Sequence, residues 1–379
     1  MTRTSRRRLL AGTLGSSLLA QVEPAPEVRL PRKIRLALAG FDGHPEEILR
    51  VLPQLPDVEL VAVAGEGSDA DAQANGLKNR YAAKARRYET LAQLLAAEQP
   101  DVVALCNHNG RRATAILACA ARQLNVIAEK PLALDRADLD AVYAAVKRSG
   151  IHLGMLLPMR FDPPYMAMRR IVESGAIGEV LEMDAQKSYQ LGARPAWQKH
   201  AATYGSTILW IAIHSIDLML WVSGRRFTEA ASLQSHVGFP EAGDMQNVTA
   251  TLFRLDNGGS ATVHMDYLRP ATASGHGDDR LRVSGSRGIV EIPGEYRCDA
   301  PHREAGRGGG AGSASTAIGV SGFFAERVSG NQAGAILAGD RAGQRGHAGR
   351  SHGGRTAPVR SNSAGVMALA KPHAAARMV

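Results

Sequence analysis

The sequence predicts a two-domain α/β protein: a doubly wound parallel sheet, followed by an α+β domain with an open, mostly antiparallel sheet. Between residues 31 and 157, short apolar strands alternate with helical segments, which is typical of right-handed crossovers in a parallel sheet. From residue 158 to 296 the pattern changes to strand periodicity with polar turns, including a hairpin signal at Asp256-Asn257-Gly258-Gly259.

The positive charge of the chain is concentrated at its two ends. The net charge is +9, yet residues 1–33 contain seven basic and two acidic residues, and residues 297–379 contain eleven and four. The body between them is slightly acidic, so the composition does not favour nucleic acid as a partner. Three cysteines without a Cys-x-x-Cys spacing, Cys106, Cys119 and Cys298, indicate neither a disulfide framework nor a metal site.

Residues 1–30 have the organisation of an export signal. Ser5-Arg6-Arg7-Arg8-Leu9-Leu10 precedes a mildly apolar stretch that ends near Ala20 and is too short to span a bilayer. The arginines resemble a twin-arginine signal, which predicts a folded, periplasmic protein. A disordered basic tail on a cytoplasmic protein is the alternative. Because no other stretch reaches eighteen continuous apolar residues, we expect no membrane span in the mature protein.

Residues 297–379 differ in composition from the rest of the chain. They contain sixteen glycines among many Arg, Ala, Ser and His residues. Such a segment buries too little apolar surface to offset the entropy of ordering it, so the sequence predicts a low-order Gly/Arg-rich tail. Translation in a shifted reading frame and a basic tail that docks on an anionic surface both remain open as explanations.

The first strand ends at Gly40, and the loop after it is a candidate phosphate-binding turn. A dinucleotide fingerprint would place glycines at positions 40, 42 and 45, and only Gly40 matches, with Gly43 nearby. Gly43 could still let the backbone approach a pyrophosphate at the start of the following helix. An ordinary strand-turn-helix connection is the alternative.

The second strand, Val58 to Ala64, ends where an acidic residue would hold an adenosine ribose. Gly65 occupies the expected position, so Glu66 is the candidate ribose ligand, and a solvated loop charge is the alternative. Because no Arg or Lys directly follows the strand to bind a 2′-phosphate, this pattern favours NAD over NADP.

Two later strands also end in polar residues. The strand Val102 to Cys106 leads into Asn107 and His108, and the strand from Asn125 leads into Glu129-Lys130-Pro131. The carboxyl ends of strands in an open parallel sheet are where ligands lie. A partly desolvated Lys130 beside Glu129 could hydrogen-bond or protonate a substrate oxygen near neutral pH. A salt-bridged strand end is the alternative.

Glu129-Lys130-Pro131 and the phrase Glu173 to Val180 resemble signatures of the Gfo/Idh/MocA oxidoreductase family. The resemblance extends over residues 33–296 and implies a Rossmann-type first domain that binds a nicotinamide cofactor, NAD or NADP. It also implies that Lys130 lies beside the nicotinamide and a sugar-like substrate, that the Asn107-His108 loop contacts the nicotinamide, and that Arg160 faces the cleft. We further expect a homo-oligomer formed through the open sheet.

A nearly continuous apolar helix from Gly205 to Trp221 carries His214 and Asp217, which share a helix face. A lone His on such a helix is usually a core residue, but the family resemblance implies that His214 exchanges the substrate proton. Trp210 stands where many family members have an Asp that assists this His. Asp217 is therefore the candidate to orient His214 instead.

These observations predict a nicotinamide-dependent oxidoreductase that transfers hydride to or from a sugar or polyol. The degenerate glycine loop and Trp210 leave two alternatives open. One is a non-catalytic binding or sensing protein of the same fold. The other is a redox-neutral sugar lyase or glycosidase that uses bound NAD.

Overall fold

The computed structural model describes residues 28–294, and all structural statements concern these residues. The signal-like residues 1–27, the Gly/Arg-rich tail and Cys298 lie outside them. Within the described range the chain forms two six-stranded sheets joined by helices.

The first sheet is entirely parallel, as predicted, and its strands run in the order β3-β2-β1-β4-β5-β6. The strands are β1 (Ile34–Ala39), β2 (Val58–Ala64), β3 (Arg86–Tyr88), β4 (Val102–Leu105), β5 (Asn125–Ala128) and β6 (Leu153–Met155). The strand order reverses between β1 and β4, which makes the carboxyl ends of these strands a topological switch point where ligands bind in doubly wound sheets.

Five helices cover the two faces of this sheet and bury its apolar strands. They are α1 (Pro45–Leu49), α2 (Ala70–Gly76), α3 (Leu91–Ala97), α4 (Asn109–Ala120) and α5 (Arg136–Ser149). Local sequence signals set several of their ends. The Asp135 carboxylate accepts a hydrogen bond from the Asp138 amide at the start of α5, and Gly150 ends this helix in a left-handed conformation with φ of 71°.

The second sheet is mixed and mostly antiparallel, as predicted, with strands in the order β12-β11-β7-β10-β9-β8. The strands are β7 (Val180–Gln190), β8 (Phe227–Ser235), β9 (Val248–Leu255), β10 (Ser260–Arg269), β11 (Gly277–Gly285) and β12 (Ile289–Ile292). Only the central pair, β7 and β10, is parallel. Gly258, with φ of 88°, makes the predicted hairpin between β9 and β10.

The helices of the second half pack on the inner face of this mixed sheet. They are α6 (Pro163–Glu173), α7 (Ala201–Tyr204) and α8 (Ile213–Ser223), with a π-helical turn at Ile208–Ala212 directly before α8. The stretch Ala201–Ser223 has the length and apolar composition of a membrane span, but half of its most apolar window is buried in the fold. A core helix gives the same signal.

Helix α4 and the segment around α7 join the two sheets. The Asn109 side-chain amide donates to the Tyr204 carbonyl oxygen over 2.9 Å. A Cβ atom at Gly110 would lie 2.8 Å from the Ala202 carbonyl oxygen, so a larger residue at this position would displace the backbone. Together with the contact between Lys130 and Trp210, these contacts place the second half of the chain against the carboxyl ends of β4 and β5. The junction between the two sheets at these strand ends is called the crevice below.

Candidate active site

The loops after β1 and β4 pack directly on each other at the floor of the crevice. Gly40 has φ of 85°, and a Cβ there would lie 2.3 Å from the Asn107 amide nitrogen, so this position requires glycine. Glycine at Gly43 has a different structural role. A Cβ at Gly43 would lie 2.8 Å from Cγ of Glu129, so glycine leaves room for that side chain.

Glu129 is buried and ties the loop after β1 to the end of β5. Its Oε1 accepts hydrogen bonds from the His44 amide at 2.8 Å and from the His44 ring Nδ1 at 2.5 Å, while Oε2 accepts from the Lys130 amide at 3.0 Å. Burial alone would raise the pKa of Glu129, but His44, Lys130 and Arg112 outweigh it and lower the pKa well below its usual range. Glu129 is therefore a carboxylate with both oxygens engaged by the protein.

Lys130 is the central group of the crevice. It is 2% exposed, and its Nζ lies 3.0 Å from the centroid of the Trp210 ring, within the range of a strong cation–π contact. Burial lowers the pKa of Lys130 to about 7, with Arg112, Lys187 and Arg194 acting in the same direction and Glu129 opposing them. The amine is therefore close to half-protonated at neutral pH.

Trp210 connects three parts of the site. Its ring stacks on the His44 ring with centroids 5.6 Å apart and meets the Trp197 ring edge-on at 5.4 Å, in addition to covering Lys130. The residue is 4% exposed and belongs to the π-helical turn before α8. Such turns are frequent at functional sites because they displace side chains from regular helical positions. The indole at Trp210 thus covers the amine of Lys130.

His214 lies on the first turn of α8 and faces the same crevice. Burial and the nearby cations Lys130 and Lys187 lower the pKa of His214 well below its usual value. Its buried Nδ1 has no hydrogen-bond partner within the described residues. The imidazole is therefore neutral at physiological pH, where an unperturbed histidine would be partly charged.

Asp217 does not orient His214, contrary to the sequence-based prediction. Both of its carboxylate oxygens accept hydrogen bonds from Arg160, one of them at 2.7 Å from Nε. Burial raises the pKa of Asp217, with the Arg160 guanidinium opposing this shift. A helical spacing of three residues places Asp217 and His214 on neighbouring positions, but a fork-shaped guanidinium from the loop after β6 binds the carboxylate more favourably. This ion pair connects the loop after β6 with helix α8.

The loop after β4 contributes several buried polar groups. Arg112 is completely buried and donates through Nε to the Asn107 Oδ1 over 2.8 Å. The His108 ring stacks on Trp197 with centroids 6.4 Å apart, and burial lowers the pKa of His108. These contacts place the predicted residues Asn107 and His108 at the junction between the sheets.

Glu66 lies at the far end of the crevice, after β2. One carboxylate oxygen accepts a hydrogen bond from the Leu91 amide at the start of α3. Arg111 from α4 donates to the Glu66 carbonyl oxygen over 3.1 Å, and its guanidinium lies against Gly67. No basic residue directly follows β2 in the sequence, but in the fold Arg111 of α4 lies beside the loop after this strand.

Lys187 and His44 belong to the site but were missed by the sequence analysis. Lys187 is fully buried on β7, and its Nζ forms an ion pair with Asp279 Oδ1 at 2.8 Å. The alternation of β7 puts Lys187 in phase with the buried Met183 and Ala185, and a lysine at a core-facing position is a detectable signal. For His44 no local signal exists, because its partners come from β5 and the π-helical turn.

Comparisons with known proteins agree with this geometry. Residues 34–156 match the profile described as "Oxidoreductase family, NAD-binding Rossmann fold", and residues 165–291 match the "GFO/IDH/MocA C-terminal domain". The chain belongs to the Gfo/Idh/MocA oxidoreductase family. The members of this family are NAD(P)-dependent oxidoreductases.

Individual relatives are distant from this Gfo/Idh/MocA protein. An inositol 2-dehydrogenase of Rhizobium meliloti is 28% identical over 261 residues, which cover 68% of this chain and 74% of that protein. A putative oxidoreductase structure from Thermotoga maritima superposes with a TM-score of 0.65 at 28% identity, covering 68% of this chain and 80% of the other. GenD2 from gentamicin A biosynthesis, crystallised with NAD, has a TM-score of 0.63 at 19% identity, covering 70% and 74%.

The crevice of this Gfo/Idh/MocA protein fits a nicotinamide cofactor. Buried polar atoms without a hydrogen-bond partner among the described residues cluster around the switch point, and such atoms normally mark the place of a ligand or ordered water. They include donors and acceptors in the loop after β1, in the loop after β4 and in helix α4: Asp42 Oδ2, Asn107 Nδ2, Asn109 Oδ1 and an Arg112 terminal nitrogen. The described residues contain no group of three or more His, Cys, Asp or Glu that could hold a metal ion.

Replacing Lys130 by Met should make the stability of the protein less dependent on pH. The pKa of Lys130 is about 7 in the folded protein and near 10.5 in the unfolded chain. Between these two pH values the unfolded chain binds one more proton than the folded protein. Lys130 therefore makes the free energy of unfolding increase with pH across this range. Below pH 7 the buried amine must be charged, which is unfavourable. Melting temperatures of both proteins should therefore show that Lys130→Met stabilises more at pH 6 than at pH 9.5, and an equal effect at both would contradict a buried, shifted amine.

Proposed function

We propose that the protein is a nicotinamide-dependent oxidoreductase that interconverts a secondary alcohol and a ketone on a sugar or related polyol. The observation that carries this proposal is Lys130: a buried amine at the carboxyl end of β5, covered by the Trp210 ring, with a pKa lowered to about 7 and a charge that lowers the pKa of His214. The name of the Rhizobium meliloti relative, an inositol 2-dehydrogenase, supports a cyclic polyol or sugar as the substrate class.

In the proposed reaction Lys130 is the proton-exchange group. A bound nicotinamide supplies or accepts the hydride, so the protein itself has to hold the substrate and move one proton. A general base works best when its pKa lies near the working pH, and the amine of Lys130 meets this condition. It would accept the hydroxyl proton during oxidation and return it during reduction.

His214 has a different role from the one its sequence context predicts. Without a neighbouring carboxylate, and near two lysines, protonation of the imidazole is unfavourable. A neutral imidazole can still accept a hydrogen bond from the substrate hydroxyl or donate one to a carbonyl oxygen, depending on the tautomer. His214 would therefore position the reacting oxygen against Lys130, while the Trp210 ring keeps water away from the amine.

The test of this function combines cofactor binding with turnover. The full-length protein should bind a nicotinamide nucleotide, and alcohol oxidation should increase with pH through about 7 as Lys130 loses its proton. Lys130→Met should reduce turnover by roughly 100-fold or more, the usual scale for a general acid-base group. His214→Asn should mainly raise KM and leave the position of the pH limb unchanged.

Two outcomes would contradict the proposal. If none of NAD, NADH, NADP and NADPH binds in calorimetry, the oxidoreductase function fails. If a nucleotide binds but Lys130→Met leaves both ligand binding and every detected activity unchanged, the non-catalytic binding function is correct. Redox-neutral turnover with no net reduction of nucleotide would instead identify the lyase or glycosidase alternative.

The preferred nucleotide is a separate part of the proposal. The sequence pattern favours NAD because no basic residue follows β2 directly, but Arg111 occupies that loop in the fold, and one Glu66 oxygen is bound to the Leu91 amide. An arginine near the ribose is the usual receptor of a 2′-phosphate. We therefore propose that the site also accepts NADP.

Arg111→Ala should discriminate between the two nucleotides. We expect the Kd of NADPH to increase about 10-fold, the loss of one charge-assisted contact, while the Kd of NADH changes less than 2-fold. Arg136→Ala, on the exposed side of α5 in an ion pair with Asp140, is the matched control. Equal losses for NADH and NADPH would show that Arg111 supports the loop and does not select the nucleotide.

We also propose a homo-oligomer formed through the outer face of the mixed sheet. Helices cover the inner face, whereas the outer face exposes apolar side chains at Leu233 on β8, Leu252 on β9 and Leu268 on β10, which are 50 to 64% exposed. Exposed apolar groups on a sheet face are typical of protein interfaces. Leu252→Asp should lower the mass measured by light scattering to that of a monomer. A monomeric parent protein would contradict this assembly.

A further inference from the structure

The second wall of the crevice contains a buried indole donor that has no acceptor. Trp197 is 9% exposed, and its Nε1 has no hydrogen-bond partner within residues 28–294. Its ring lies between the His108 ring of the loop after β4 and the Trp210 ring that covers Lys130. A buried N–H group is normally hydrogen-bonded, so its position beside the reacting groups indicates a place for a ligand acceptor.

Arg194 supplies a second donor of the same kind, together with a positive charge. One terminal nitrogen donates to the Gln190 carbonyl oxygen at 3.0 Å and the other to Gln198 Oε1 at 3.3 Å, while the guanidinium lies 4.4 Å above the Tyr267 ring. The buried Nε has no acceptor, and no carboxylate of the described chain lies within 4 Å of Arg194. The guanidinium is thus fixed in place by neutral groups and lacks a counter-ion.

Only some of the cationic side chains of the crevice have an acidic partner. Three of its cationic side chains have acidic partners: Lys187 with Asp279, Arg160 with Asp217, and His44 with Glu129. Lys130, Arg112 and Arg194 form no such ion pair within the described residues. Trp197, three residues after Arg194, contacts the Trp210 ring that covers Lys130, so this part of the chain lies beside the amine.

The Trp210 ring, which covers Lys130, adds no negative charge to the site. The Asp42 carboxylate, in the loop after β1, accepts a hydrogen bond from the Asp69 amide at 3.1 Å. The substrate wall therefore has an excess of positive charge and of hydrogen-bond donors.

An anionic group on the substrate would satisfy both features. A neutral sugar offers hydroxyl acceptors but leaves the charge of Arg194 uncompensated in a partly buried site, which is unfavourable. A carboxylate has two oxygens that can accept from Arg194 Nε and from the Trp197 indole at the same time, and charge-assisted hydrogen bonds of this kind are the strong ones.

We propose that the substrate is a hydroxy acid or sugar acid whose carboxylate binds to Arg194 and Trp197 while its hydroxyl-bearing carbon faces Lys130. This inference rests on the proposed function and specifies its substrate class. In this proposal Arg194 and Trp197 select acids over the corresponding neutral alcohols. Lys187 has a structural role, because its ion pair with Asp279 stabilises the strand that carries it.

The experiment compares matched pairs of acid and neutral ligands. The Kd values of D-glucuronate and D-glucose, D-galacturonate and D-galactose, and tartrate and threitol are measured by calorimetry on the full-length protein, with and without saturating NADH. At least one acid should bind about 10-fold or more tightly than its neutral partner, the effect of one charge-assisted contact. Arg194→Gln should abolish this preference, and Trp197→Phe, which keeps the ring and removes the N–H, should reduce it several-fold.

Two further variants keep the result unambiguous. Arg194→Lys retains the charge without the Nε donor, so it should keep part of the preference, and melting temperatures of both variants show whether each is folded. Arg136→Gln, at an exposed ion pair on α5, should bind acids like the parent protein. Binding of neutral ligands equal to or tighter than acids, binding of none of the six, or an acid preference that survives in Arg194→Gln would overturn the proposal. Failure to bind NADH is a separate result and would refute the oxidoreductase function.

Discussion

The burial of the Lys130 amine at the carboxyl end of β5 is the constraint on which the site depends. An ammonium group taken out of water is unfavourable unless something compensates for its lost hydration. Glu129 could have done so directly, but its oxygens are engaged by His44 and by the Lys130 backbone, and the Trp210 ring covers the amine instead. A cation–π contact in a desolvated site contributes about 2 kcal/mol, which is less than a buried amine loses, so the pKa falls to about 7.

The aromatic ring at Trp210 also affects its neighbours. A carboxylate at this position would raise the pKa of His214, whereas the indole brings no charge to oppose the effects of burial and of the nearby lysines. In the proposed reaction the proton is therefore exchanged by Lys130. The Arg194 Nε, which has no acceptor among the described residues, is the group that favours an acid as the proposed substrate. Asp217 takes part in neither, because Arg160 holds both of its oxygens.

The sequence was sufficient for the fold because the fold is encoded locally. Apolar runs, the Asp135 cap, Gly150 and the Gly258 hairpin each act over a few residues, and together they predict both sheets. Strand β3 was not predicted, because Arg86–Tyr88 is short and polar and lies at the edge of the sheet. The site depends on contacts between distant segments. His44 with Glu129, Arg111 with the loop after β2, and Arg160 with Asp217 are 85, 45 and 57 residues apart, so no local pattern identifies them.

The most direct test of this account is the pKa of Lys130 itself. In protein labelled with ¹³C at the lysine side chains, the Cε signal of Lys130 can be assigned by its absence from the Lys130→Met spectrum and followed from pH 5 to 11. The account predicts a midpoint near 7, far from the ordinary lysine value of about 10.4, and a higher midpoint in Trp210→Asp, where a carboxylate would stabilise the charged amine. A midpoint above 10 in the parent protein would contradict a desolvated Lys130 and with it the proposed proton transfer.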